Sequence, residues 1–181
     1  RVNGLPVTRG SLMAAFGCNF QGDVAPATVV DMVGQLLDLA AEAGETLEFV
    51  SLADTMAWAS PLSIRRVVGV IRDRFPDLTL SLHLHDTRGM GIANVYSGLQ
   101  MGVEIYDAAV AGLGGCPFAA HKGAAGNVCT EDVVFLCDEL GIETGIDLER
   151  LMQAACVAED VVGHPLPGSV KSGGSLRALR E

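Results

Sequence analysis

What most constrains the fold is a recurrence: apolar, strand-like runs begin near residues 47, 78 and 103, each followed by a stretch with helical apolar spacing. One strand with its helix and turns takes roughly 30 residues, so the chain reads as successive βα units of a parallel α/β architecture. The repeat is architectural and not that of a solenoid. About five strands are visible, whereas a closed (β/α)8 barrel takes eight and typically about 250 residues, which leaves an open sheet or part of a barrel.

Breakers place the elements. Thr8 to Gly17 reads as a strand, and a helix from Pro26 to Ala43 begins on a proline and stops at Gly44. Leu47 to Ala53 is the next strand. Ser60-Pro61 makes an N-cap and first-turn pair for a helix with Ile64, Val67, Val68 and Ile71 on its apolar side, ending before Pro76. Beyond the strand at 78 come a helix from Gly91 to Met101, a strand from Val103 to Val110, a glycine-rich loop from Gly112 to Ala125 and a very short strand at Asn127 to Cys129. Thr130 caps a helix with Glu131 and Asp132 in its first turn, where carboxylates suit the helix dipole, and Val133, Val134, Leu136, Cys137 and Leu140 form its stripe. Asp147 opens a last helix that ends near Gly163, and the tail from His164 to Glu181 reads as irregular.

With 181 residues, 49% hydrophobic and 19% charged, the chain reads as one soluble domain spanning 1–181. A formal net charge of −10 argues against nucleic acid or an anionic membrane surface as the main partner, since both repel it at long range. No stretch is long and apolar enough to span a bilayer. The five cysteines (Cys18, Cys116, Cys129, Cys137, Cys156) lack the spacing of a disulfide scaffold or a paired C-x-x-C zinc site. They read as free thiols in a reducing compartment, the cytoplasm.

The chemistry gathers where strands end. Along Leu78-Thr79-Leu80-Ser81-Leu82-His83-Leu84-His85 the leucines take one face and Thr79, Ser81, His83 and His85 the other, with both imidazoles at the carboxyl end. An H-x-H pair is equally consistent with a metal site and with satisfied interior histidines; Asp86 beside it favours metal, because a carboxylate behind a ligating ring orients it. Asp54, His83, His85 and the loop around Cys116 all fall at or just after successive strand ends, where parallel α/β enzymes build active sites, with Asn127 close behind. Asp54 reads equally as a general base or as a structural hydrogen-bond acceptor. In Gly112-Leu113-Gly114-Gly115-Cys116 the glycines allow close approach of backbone to ligand, and a loop thiol serves as proton donor, as nucleophile or as a passive group. Cys18, Cys129, Cys137 and Cys156 read as small buried hydrophobes, His121 and His164 as surface loop residues, and Trp58 as packing.

Read together, Ser51-Leu52-Ala53-Asp54-Thr55, His83-Leu84-His85-Asp86-Thr87, the run from Ala111 through Gly114-Gly115-Cys116-Pro117 to Ala119, and Gly126-Asn127-Val128-Cys129-Thr130-Glu131-Asp132 resemble the 3-hydroxy-3-methylglutaryl-CoA lyases. These belong to a wider group of metal-dependent TIM-barrel lyases and acyltransferases. The resemblance implies a (β/α)8 barrel, of which this chain holds roughly the last five strands. It further implies Mg²⁺ or Mn²⁺ on His83, His85 and Asn127, an acyl-CoA substrate, and retro-aldol cleavage to acetyl-CoA and acetoacetate. Cys116 protonates the enolate in that reading, His83 also moves a proton, Asp54 lies in the active site, and Gly114 and Gly115 belong to the substrate loop.

Departures from the family pattern bear on the whole reading. The family places an aspartate ligand and a catalytic arginine on its first strand, and no such segment precedes Thr8; Arg1, Arg9 and Asp23 do not stand in that context. The chain is therefore expected to be the carboxyl-terminal part of the barrel, inactive alone. Its two open strand edges are expected to lead to aggregation, or to be covered by a missing segment of the same polypeptide or by a partner, with a homo-oligomer expected. Between Cys116 and Asn127 the loop is about two residues longer than the usual lyase loop, and Arg88 follows Asp86-Thr87, so the acyl group stays open. A Claisen-type acyltransferase or aldolase of the same barrel group, and a non-catalytic fragment, are the alternatives.

Overall fold

The computed structural model describes residues 6–115 and 126–180. The chain clusters into two compact units, Arg1–Leu84 with Ala93–Asp107, and His85–Ile92 with Ala108–Glu181.

The first unit is built on a parallel sheet. In chain order its elements are β1 (Arg9–Leu12), β2 (Gly17–Cys18), β3 (Gly22–Asp23), α1 (Pro26–Glu42), β4 (Phe49–Ala53), α2 (Pro61–Arg74), β5 (Leu80–His83), α3 (Gly91–Gln100) and β6 (Ile105–Asp107). The strands lie in the order β1-β4-β5-β6, all parallel, while β2 and β3 form a separate antiparallel pair. Helices cover one face, where Leu12, Val50, Leu52, Leu80 and Leu82 are buried. The α3 helix lies so close to it that a Cβ at Gly98 would meet Leu82 Cδ1 at 2.6 Å. The leucine alternation read from the sequence is therefore the packing face, and Ile64, Val67, Val68 and Ile71 are the buried residues of α2 as expected.

The register puts Arg9, Ser11, Ser51, Ser81, His83 and Asp107 on the other face. Arg9 on β1 donates a hydrogen bond to Asp107 on β6, three strand spacings away, which is about 14 Å in a flat sheet. The two side chains cannot span that, so the sheet curves with its polar face concave, as a barrel wall does.

In the second unit a 3₁₀ turn at Val110–Gly112 precedes α4 (Thr130–Glu139), α5 (Leu148–Val162), α6 (Ser169–Gly173) and α7 (Arg177–Arg180). Val134, Leu148 and Val170 form its core, with Phe135, Leu151 and Met152 packed against them.

Several expectations are corrected. The first strand stops at Leu12 rather than Gly17, because Ala14 takes a left-handed φ of 53° and gives its N–H to Thr55 Oγ1. The strand expected at 103–110 covers only Ile105–Asp107. Thr130 is the first residue of α4 and not its cap; Cys129 holds the cap position without a side-chain hydrogen bond. Leu140 is exposed on that helix, and so is Cys156 on α5. The tail is not irregular: Asp132 accepts from the backbone N–H groups of Ser169 and Val170 (3.1 and 2.8 Å) and so starts α6. The four described cysteines are free thiols, as expected.

Candidate functional site

Within the first unit the polar residues cluster at the carboxyl ends of the strands. Asp54 follows β4, 1% exposed, and its N–H donates to the carbonyl of His83 at the end of β5 (2.8 Å). Its Oδ1 accepts from the backbone N–H groups of Trp58 and Ala59 (2.7 and 2.9 Å), so this carboxylate organises the turn into α2. The His83 ring faces Asp107, with Nδ1 3.4 Å from Oδ2. The guanidinium of Arg9 bonds that same oxygen, donates to Ser51 Oγ at 3.0 Å and lies over the Phe49 ring, 5.5 Å from its centroid. Neither Arg9 nor Asp107 stood out in the sequence as part of a site.

In the second unit His85, 7% exposed, pairs with Asn127 in an isolated antiparallel bridge. Asp86 donates its N–H to the Gly126 carbonyl (2.8 Å) and accepts from the Gly91 N–H through Oδ1 (2.6 Å), which caps the start of α3. Burial raises its carboxyl pKa, the Gly91 hydrogen bond lowers it, and Asp132 raises it again. Asn127 Nδ2 donates to the Leu113 carbonyl (2.7 Å), whereas Oδ1 is buried with no hydrogen-bond partner among the described residues. Gly114 and Gly126 meet: an added Cβ on Gly126 would fall 1.4 Å from the Gly114 carbonyl oxygen, so only glycine fits there. Gly114 and Gly115 are exposed, and Cys116 and His121 lie outside the described residues.

Glu131 is a buried carboxyl in the second unit, which its first-turn position did not reveal. It is 0% exposed, and its Oε2 accepts from the N–H of Ala111, which is held in a left-handed conformation at φ 52°. Burial raises its carboxyl pKa, against hydrogen bonds from its own and Ala111's N–H groups. Burial, with Asp132, Glu131 and Asp86 nearby, pushes the Cys129 thiol up to about 12, so that thiol stays protonated and inert.

Among the described residues no three His, Cys, Asp or Glu side chains gather closely enough to hold a metal ion. The fit to a cation therefore rests on the mixed donor set. The orphaned amide oxygen of Asn127 beside the His85 backbone is the kind of buried acceptor that a hard divalent ion satisfies.

Comparison with known proteins places this geometry. The HMGL-like family model matches residues 8–158. The (R)-citramalyl-CoA lyase of Chloroflexus aurantiacus is 43% identical over 163 residues, 90% of this chain and 49% of that protein. Hydroxymethylglutaryl-CoA lyase YngG of Bacillus subtilis is 39% identical over 88% of this chain and 51% of its own length. An HMG-CoA lyase from Acinetobacter baumannii, solved with coenzyme A and 3-methylmalate, superposes with a TM-score of 0.79 at 37% identity, covering 93% of this chain and 53% of that one. The chain thus spans about half the length of the relatives it matches, and its curved parallel sheet corresponds to part of their TIM barrel. With the matched model running from the first strand into α5, the chain belongs to the HMGL-like family.

Proposed function

We propose that the protein is a divalent-metal-dependent carbon–carbon lyase acting on a 3-hydroxy-3-methylglutaryl-CoA-type thioester, giving acetyl-CoA and acetoacetate. The observation that carries this reading is Asn127 Oδ1, buried beside His85 with nothing among the described residues to bond. Leaving such an acceptor unsatisfied costs about 1–3 kcal/mol. The amide oxygen suits a hard ion such as Mg²⁺ or Mn²⁺, and the borderline imidazoles suit Mn²⁺ better than Mg²⁺, so His83, His85 and Asn127 would hold the ion with substrate oxygens as further donors. When bound, the ion supplies Lewis-acid polarisation of the substrate's hydroxyl and carboxylate.

The protein's own groups move the protons. A base takes the tertiary hydroxyl proton, a role open to Asp54 or to a His83 ring nitrogen whose lone pair is not on the ion, and the carbon–carbon bond breaks with its electron pair passing to the thioester α-carbon. Cys116 donates its thiol proton to that carbon. An ordinary thiol, with a pKa of about 8.5, is mostly protonated near neutral pH and can do so. Asp54 lines this end of the sheet, Asp86 holds the backbone beside His85, and Gly114 and Gly115 let the loop approach the acyl group. The coenzyme A in the Acinetobacter relative supports an acyl-CoA as the partner.

A second substrate is favoured by the 43% identity to a citramalyl-CoA lyase. Citramalyl-CoA has the same tertiary alcohol with a carboxylate one carbon closer, so the same cleavage yields acetyl-CoA and pyruvate. The deciding experiment extends the chain by the strands that complete the barrel, incubates that protein and Mn²⁺ with each thioester, and identifies the products chromatographically. Cleavage of one or both is expected, abolished by chelation and by His85→Ala in a variant that keeps its circular dichroism. No cleavage of either substrate, or full activity after chelation, would sink the reading.

A further inference from the structure

Arg9, Ser51, His83 and Asp107 come from four adjacent strands and share the concave face of the sheet. Their connections run one way: Arg9 binds Ser51 and Asp107, and Asp107 Oδ2 in turn lies 3.4 Å from His83 Nδ1. The Arg9 and Asp107 side chains are 42% and 33% exposed. An ion pair that open to water contributes at most about 1 kcal/mol to stability, so folding alone is a poor account of it. The third member supplies a better one. A neutral imidazole has one ring nitrogen protonated and a lone pair on the other, and the hydrogen bond at the first decides which nitrogen is left for other work.

We propose that Asp107, anchored by Arg9, is a positioning residue that keeps the proton of His83 on Nδ1 and thereby presents Nε2 to the divalent cation; the inference rests on the metal-lyase reading above. The 3.4 Å separation is an ion-pair distance, longer than a normal N–H···O bond, so the inference requires the ring and the carboxylate to draw together. Arg9 matters because it fixes one carboxylate oxygen between β1 and β5, leaving Asp107 little freedom to swing away from the ring.

The test uses the ¹⁵N-labelled full chain. Two-bond ¹H–¹⁵N correlation of His83 reads the tautomer, and Mn²⁺ affinity is measured by electron paramagnetic resonance. The wild type is expected to carry the proton on Nδ1. Asp107→Ala is expected to shift it toward Nε2 and weaken Mn²⁺ binding roughly 10- to 100-fold. Asp107→Asn, nearly isosteric and still offering an acceptor oxygen, is expected to lose less, and it carries the measurement if the alanine variant does not fold. A wild-type proton on Nε2, or unchanged Mn²⁺ affinity in the variants, overturns the inference. A wild type that binds no Mn²⁺ overturns the metal reading beneath it as well, which separates the two failures.

Discussion

Glu131 carries a carboxyl into the interior of its unit, with one oxygen held by the Ala111 N–H and the other without a hydrogen bond among the described residues. Its folded-state pKa lies above the ordinary 4.5, chiefly because burial penalises the charge. Above 4.5 the unfolded chain releases a proton that the folded protein still holds, so this group's contribution to stability falls as pH rises through the window and stays lost beyond it. Glu131→Gln removes that step while keeping an oxygen for Ala111. The melting temperature of the variant minus that of the wild type is therefore expected to increase from pH 4 to pH 7 in paired thermal melts; a difference independent of pH would show that burial does not perturb this carboxyl. Nothing local betrays such a residue, since an acid in a first helical turn is ordinarily a solvated dipole partner. Its bonded partner stands 20 residues away, and Arg9 and Asp107 are 98 apart. His83 and His85 were legible because alternation along a strand is a local property.

Elements defined by local chemistry follow the sequence closely, and α2 is the clearest. Ser60 accepts from the Ser63 N–H, Ser63 accepts from the Ser60 N–H, and Pro61 sits in the first turn, so three neighbouring residues settle where the helix begins. Ser60→Ala is expected to cost about 1 kcal/mol, read as a lower urea midpoint with unchanged slope. An unchanged midpoint would mean that packing of Ile64, Val67, Val68 and Ile71 alone fixes the helix start. Elements set by distant partners were not legible. α6 exists where a glycine-containing tail suggested none, because Asp132, 37 and 38 residues earlier, satisfies its first N–H groups. The first strand ends early because Thr55, 41 residues on, captures the Ala14 N–H.

At the scale of the whole molecule the parallel architecture was readable from the recurrence of βα units, whereas the curvature of a barrel came only from the family resemblance and shows in the structure where Arg9 and Asp107 meet. On the proposed metal reading, ion and fold are coupled at this scale, since a ligand bound only by the native state stabilises it by RT ln(1 + [L]/Kd), about 2.7 kcal/mol at a hundredfold excess over Kd. Mn²⁺ is therefore expected to raise the melting temperature of the full chain, rising with concentration, and to leave that of His85→Ala unmoved. Equal shifts in both proteins would place the ion elsewhere.

The contact between Gly114 and Gly126 bears on how such a protein diversifies. Two backbone points held together make a neck, and the number of residues in sequence between them can change without moving Asn127 or the start of α4. Loop entropy resists weakly, at about 0.6 kcal/mol for each doubling of length. On the lyase reading proposed above, length changes in the sequence between Gly115 and Gly126 would alter the stretch that carries Cys116 while leaving Asn127 in place.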